Sequence, residues 1–359
     1  MITNSHFKNH PSEKNHYSFG NFLKKIILNW LQLTDEPVVK VYDGYGDVTQ
    51  LIFYGHVLKL SPLPRKKYTS NWLTNTFSLL RLFMVRPKAN AKVRMQWNDQ
   101  MLETQTTADG FFHFEWKPEQ TLPTGWHPVF VNYVDPINDE IILATGKGSV
   151  FIPHVCQYAC ISDIDDTFLI SHSSNIRKRL FVLLTENAQS RKPFEGVVKH
   201  YQLLSKASAA GEVLNPFFYV SSSEWNLYDY IKEFARKNEL PSGIYLLNEI
   251  KRLSQALKSG QGKHKTKFFR IARIIETFPL QKYILLGDDS QDDPSIYASV
   301  AEHFPEKIYA VYLRRIKSSN ESVVKEIISR IENAGVACCY FTHSSEAIEH
   351  SMKIGLVSL

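Results

Sequence analysis

Tyr158-Ala159-Cys160-Ile161-Ser162-Asp163-Ile164-Asp165-Asp166-Thr167 is a short apolar run that ends abruptly in carboxylates. Strands buried on both faces read as continuous apolar stretches, and such strands belong to parallel sheets covered by helices. Two further runs share the pattern. Residues 217–220 lead into Ser221-Ser222-Ser223, and residues 283–286 lead into Gly287-Asp288-Asp289-Ser290-Gln291-Asp292-Asp293-Pro294. Polar groups placed directly after buried strands are where open α/β sheets put their ligand sites. Helical patterns fall between the runs, at 226–237 and at 266–278, where Phe268, Ile271, Ile275 and Phe278 share one face. Two later strands, 308–312 and 336–341, flank a helix at 322–333. Residues 154–359 are therefore expected to form an α/β domain around a parallel sheet.

Upstream the periodicity changes. The segments 38–42, 50–58, 91–97, 110–116, 129–134 and 141–144 are β-branched or aromatic and short, and Asp43-Gly44, Asp109-Gly110 and Thr124-Gly125 punctuate them as turns. This predicts a small antiparallel β domain over 36–153, sandwich-like, with scattered His and Asp residues and no ligand spacing. Residues 1–35 read as a polar tail followed by an amphipathic helix. Phe19, Phe22, Leu23, Ile26, Ile27, Trp30 and Leu33 recur at three and four, opposite Lys24 and Lys25. Such a stripe docks on the protein's own core more often than on a lipid surface.

Composition narrows the function classes. With 42 Lys and Arg against 36 Asp and Glu, the formal charge of +6 is too mild for a nucleic-acid binder of 359 residues. The four cysteines, Cys156, Cys160, Cys338 and Cys339, lack zinc spacing and disulfide density, which fits a reducing compartment. No apolar run reaches the roughly 20 residues that cross a bilayer, and no small-residue cleavage site follows 26–33, so a cytoplasmic protein is expected.

The chemistry concentrates at the strand ends. Asp163, Asp165 and Asp166 put three carboxylates in four positions, an arrangement that repels itself unless a cation or protons intervene. Oxygen donors without soft ligands point to magnesium rather than zinc. Asp288 and Asp293 supply carboxylates at a second strand end, although acids before Pro294 also suit the start of a helix. Ser221 and Ser222 offer hydroxyls, which equally often cap a following helix, and Gly262-Lys263-His264-Lys265 offers cations ahead of a helix.

Taken in order, strand-Asp-x-Asp-x-Thr, strand-Ser, Lys before a helix and strand-Gly-Asp resemble the haloacid-dehalogenase-like phosphotransferases. Further motifs narrow the resemblance: Phe194-Glu195-Gly196-Val197, 215–223, Trp225-Asn226-Leu227-Tyr228, Gly262 to Lys265, 287–294 and Ile296-Tyr297 are similar to the actin-patch-type phosphatidate phosphatase catalytic domain, over about 155–316. Tyr42-Asp43-Gly44-Tyr45-Gly46 and Gly55-His56-Val57 resemble the β region of bacterial members. Glu224 replaces the usual proline and Asp289-Ser290 the common Ser-Gly.

The resemblance implies a haloacid-dehalogenase-like Rossmannoid sheet with helices on both faces. It implies Asp163 as nucleophile and Mg2+ ligand, and Asp165 as acid and base with its carbonyl on the metal. Ser221, Ser222, Thr167 and Lys265 would attend the phosphoryl group, Asp288 would complete the metal site, and Asp293 would join it directly or through water. The expected partner is a phosphorylated lipid met at a membrane surface. Two alternatives stand beside it: a soluble phosphomonoesterase for a sugar phosphate or nucleotide, and a noncatalytic membrane- or protein-binding module.

Overall fold

The structure is a computed structural model that describes residues 19–63, 80–154, 158–164, 194–208, 214–250, 263–316 and 321–358. Helix α1 (Phe19–Leu31) leads into β1 (Leu33–Thr34), β2 (Val38–Val41), β3 (Gly44–Gly46), β4 (Leu51–Pro62) and β5 (Arg86–Pro87). Then follow β6 (Lys92–Trp97), β7 (Gln100–Gln105), β8 (Phe111–Trp116), β9 (Gly125–Val134) and β10 (Ile142–Ile152). They form one hydrogen-bonded network, β1-β4-β3-β10-β9-β6-β7, with β2, β5 and β8 also paired to β4. Val41, Phe53 and Phe114 share one core with Met95, Val131 and Val150, so the sheet folds over itself in place of two separate layers. The pairing is antiparallel except between β3 and β10, which run parallel. A tight turn, closed by Asp47 N–H on Gln50 O at 2.9 Å, returns β4 along one edge of β3 and leaves the other edge for β10.

The second sheet is built from β11 (Tyr158–Ser162), α2 (Val197–Lys206), β12 (Phe217–Glu224), a 3₁₀ turn at Trp225–Leu227, α3 (Tyr228–Lys237) and β13 (Gly243–Asn248). It continues through α4 (Lys263–Thr277), β14 (Lys282–Asp288), α5 (Asp293–His303), β15 (Ile308–Arg314), α6 (Glu321–Asn333), β16 (Ala337–Phe341) and α7 (Ser344–Lys353). All six strands are parallel, in the order β13-β12-β11-β14-β15-β16. Alternate residues of each strand enter opposite cores. Ala159, Ile161, Phe218, Val220 and Leu285 face Ile271, Ile274, Val300 and Ile331 of α4, α5 and α6. Cys160, Phe217, Tyr219 and Leu286 face Tyr201, Leu204, Phe234 and Ala347 of α2, α3 and α7. Burial on both faces is what made these runs continuously apolar. The chain starts in the middle, at β11, winds outward to β13 and returns to β14, so the winding direction reverses between β11 and β14.

The two sheets meet through aromatic and charged contacts. The Tyr42 ring stacks on Trp225 with centroids 4.0 Å apart, and Tyr45 meets Phe218 edge-on at 5.3 Å. Lys232 pairs with Asp43, Arg273 with Glu115, and Lys40 with Asp229 at 2.5 Å. On helix α1, Phe22, Ile27 and Trp30 are 61%, 53% and 72% exposed, and its main packing among the described residues is against β1. No helix among the described residues is long and apolar enough to cross a membrane.

Candidate active site

In doubly wound sheets, ligands bind beyond the strand carboxyl ends where the winding reverses. At that point β11 ends at Ser162, level with Leu286 of β14, and the following Asp163 donates its N–H to Leu286 O at 2.8 Å. Asp288 closes β14 and Asp293 opens α5. The three carboxylates are almost fully buried, and one oxygen from each lies within 4.8 Å of the others.

Such a group cannot stay ionised without positive charge. Lys267 supplies part of it, its Nζ donating to Asp163 Oδ1 at 2.7 Å and to Asp293 Oδ1. Burial opposes the ammonium charge, but Asp163 and Asp293 outweigh that and hold the Lys267 pKa above its ordinary value. Burial pushes the Asp293 carboxyl up, against the pull of Lys267. The three carboxylates outnumber the one ammonium that contacts them, and the Arg314 guanidinium acts on Asp288 through space. Asp293 Oδ2 is buried and has no hydrogen-bond partner among the described residues. Clustered carboxylates, hard oxygen donors and an unpartnered buried oxygen fit a divalent cation. Asp163, Asp288 and Asp293 could therefore hold a metal ion.

Local packing explains how Asp293 reaches the group. A Cβ on Gly287 would lie 2.6 Å from Asp293 Oδ2 and 2.7 Å from the Tyr297 ring, so only glycine admits both. Tyr297 OH donates to Leu286 O at 2.9 Å and ties α5 to β14. Asp293 thus begins its helix and also turns its carboxylate inward. Beneath Asp163, Ser162 Oγ donates to Asp163 O at 2.7 Å and accepts from Tyr201 OH at 2.8 Å. The neighbouring Asp289 serves elsewhere, accepting from Tyr340 OH and from Ile316 N–H, each at 2.7 Å.

The remaining expected residues divide as follows. Ser221 is buried in β12, two residues past Tyr219, which pairs with Ser162; its Oγ accepts from Ser223 N–H at 2.9 Å. Ser222 is half-buried and, by strand alternation, belongs to the opposite face. Asp165 and Thr167 lie outside the described residues, as does the Lys265 side chain. The lysine that meets the carboxylates is Lys267, which the motif reading missed. Its signal was phase: it stands four and seven residues before Ile271 and Ile274, on the buried face of α4.

The fold and the site define a class, a parallel α/β protein with a buried carboxylate centre able to hold a cation at its switch point. Residues 158–315 match the family described as phosphatidate phosphatase APP1, catalytic domain. The chain is 28% identical over 179 residues to the Saccharomyces cerevisiae phosphatidate phosphatase APP1, an alignment covering 48% of this chain and 29% of that protein. It is 21% identical over 257 residues to an uncharacterized Schizosaccharomyces pombe protein, covering 71% of this chain and 40% of that one. The chain thus spans less than half the length of these two relatives. A carbohydrate acetylesterase of Xanthomonas citri superposes over 87% of this chain and 71% of its own, at 8% identity and a TM-score of 0.34, too low to argue from.

Proposed function

We propose that this protein is a Mg2+-dependent phosphohydrolase of the haloacid-dehalogenase-like type, that its substrate is phosphatidate, and that its products are diacylglycerol and phosphate. The observation that carries the reading is the buried Asp163, Asp288 and Asp293 group beside Lys267 at the reversal point of a parallel sheet. The family match supports the reaction class, and the yeast relative, a phosphatidate phosphatase, supports the lipid.

In this reading Asp163, Asp288 and Asp293, with the backbone carbonyl of Asp165, would hold the magnesium, which would offset carboxylate and phosphate repulsion. A carboxylate oxygen of Asp163 attacks phosphorus while Asp165 gives a proton to the departing ester oxygen, leaving an aspartyl-phosphate and a free alcohol. Asp165 then takes a proton from water as it attacks phosphorus, releasing phosphate and restoring Asp163. Lys267 balances charge beside the nucleophile, and Lys265 attends the phosphoryl group. Ser221 and Thr167 donate to the phosphoryl oxygens, while Ser222, on the opposite face of β12, drops out of that role. Tyr201, acting through Ser162, fixes the Asp163 backbone.

Reaching a lipid headgroup asks for a membrane contact. The stripe of Phe22, Ile26, Ile27 and Trp30, with Lys24 and Lys25 opposite, suits a reversible interfacial helix on a cytoplasmic protein. Each basic residue contributes about 1 kcal/mol at an anionic surface. Phosphate release should be measured on phosphatidate in mixed micelles and on a panel of sugar phosphates and nucleotides, each with magnesium and with EDTA. Magnesium-dependent release from phosphatidate is expected. Release confined to the soluble panel would move the substrate to the soluble class, and equal release in EDTA would exclude the metal.

A further inference from the structure

Where β4 and β8 of the first sheet face β13 and α4 of the second, they enclose a cleft of about 290 Å³ outside the carboxylate group. That volume is at the lower end of ligand pockets and holds about ten non-hydrogen atoms at the volume of a water each. Its walls are aromatic and cationic: Tyr54, Phe111 and Trp225 on one side, Arg270 and Arg273 of α4 on the other, with His56 at the back.

Two of these groups lack a partner that their chemistry demands. Arg270 donates to Ser221 O at 3.2 Å and to Asn248 Oδ1 at 2.8 Å, both neutral acceptors, and makes no ion pair among the described residues. Burial holds its pKa below the usual arginine value, so the guanidinium pays for desolvation without a contacting anion. Arg273, in contrast, already pairs with Glu115. His56 is fully buried, and its Nδ1 lies 3.0 Å from Tyr42 OH, which meets no other acceptor among the described residues. Tyr42 OH therefore donates to Nδ1, and Nε2 carries the imidazole hydrogen. That Nε2 has no hydrogen-bond partner among the described residues. The carboxylates lining the cleft, Asp109 and Glu249, act through space on His56 and Arg270 respectively.

We propose that this cleft is a second ligand site that binds a small organic anion, a carboxylate or phosphate on a flat or apolar body. The anion takes Arg270 as its ion-pair partner and the Nε2 hydrogen of His56 as a donor, and its body lies against Tyr54, Phe111 and Trp225. The site lies outside the carboxylate group, since none of Asp163, Asp288, Asp293 or Lys267 lines it, although Arg270 also donates to the Ser221 backbone.

The test is calorimetric titration of the full chain in EDTA with 3-phenylpropionate, a carboxylate probe carrying no phosphoryl group for the hydrolytic centre. One site per chain is expected, with the neutral 3-phenylpropanamide at least tenfold weaker and Arg270→Gln costing at least tenfold. The amide comparison keeps the test valid if the variant fails to fold. Equal affinity for acid and amide, or unchanged affinity in a folded Arg270→Gln, would overturn the site. Repeating the titration with phosphatidylglycerol vesicles identifies the source of the anion. Displacement of the probe supports a lipid headgroup as the occupant, and undiminished binding supports a soluble anion.

Discussion

Replacing Lys267 with methionine removes a buried ammonium while keeping most of the side-chain volume. The lysine donates to Asp163 at 2.7 Å and to Asp293, and its side chain is 12% exposed, so solvent cannot take over its role. Removing one partner of a buried ion pair costs about 3 to 5 kcal/mol. For a unit of roughly 200 residues each kcal/mol shifts Tm by about 2 to 4 °C, so Tm in EDTA should fall by roughly 6 to 20 °C. The sign of the magnesium response is more telling than the size. Without the ammonium the three carboxylates repel one another more strongly, so saturating magnesium should raise the Tm of Lys267→Met by more degrees than that of the wild type. Differential scanning fluorimetry in EDTA and in magnesium measures both. A variant melting within about 1 °C of wild type in EDTA would refute the charge balance drawn here.

Three further outcomes follow from other contacts. Gly287→Ala should push Asp293 and Tyr297 apart, costing about 1 to 3 kcal/mol of stability and lowering magnesium affinity in calorimetric titration; unchanged affinity would show that Asp293 does not share the ion. Burial holds His56 down to about 4 and lowers His200 further, below the roughly 6.5 of an unfolded histidine. The unfolded chain therefore binds more protons below that pH, and stability should fall from about pH 6.5 toward pH 4 by about 1.4 kcal/mol per pH unit for each group. Urea midpoints across pH 4 to 8 measure this, and a flat profile would contradict the buried neutral rings. Deleting residues 1–33 should reduce cosedimentation with anionic liposomes and slow turnover of phosphatidate, yet leave a soluble ester unaffected; equal losses would make α1 part of the folded core.

Much of the parallel sheet could be read from the chain because its strands are buried on both faces. Tyr158–Ser162 and Lys282–Asp288 contain the expected apolar runs, and Ile271, Ile275 and Phe278 fall on one buried face of α4. Strand β13 went unread because Gly243-Ile244-Tyr245-Leu246-Leu247 is short and follows Pro241-Ser242, which reads as a loop. The second half of β10 was hidden by Gly146 and Gly148, which look like breakers. At Gly146 the residue is needed, since a Cβ there would come 2.4 Å from Val39 O. Helix α7 buries Ser344, Ala347 and Ser351 along with Ile348, so small polar residues do the packing and leave no apolar stripe to detect.

At the site, carboxylates directly after apolar runs announced Asp163 and Asp288 without help from tertiary structure. The lysine could not be chosen the same way. Lys263, Lys265 and Lys267 crowd one helical turn, and only the phase set by Ile271 and Ile274 selects among them. The inward turn of Asp293 depends on the missing side chain of Gly287, a contact between β14 and α5 that local sequence patterns do not record.

The central claim is that Asp163 is the nucleophile of a magnesium-dependent phosphohydrolase. Asp163→Asn keeps the shape of the side chain and removes the charge that attacks phosphorus, so the most direct measurement compares phosphate release from phosphatidate in mixed micelles by wild type and Asp163→Asn in saturating magnesium. The account predicts steady release by the wild type and a loss of several orders of magnitude in the folded variant. Near wild-type release by Asp163→Asn would contradict it.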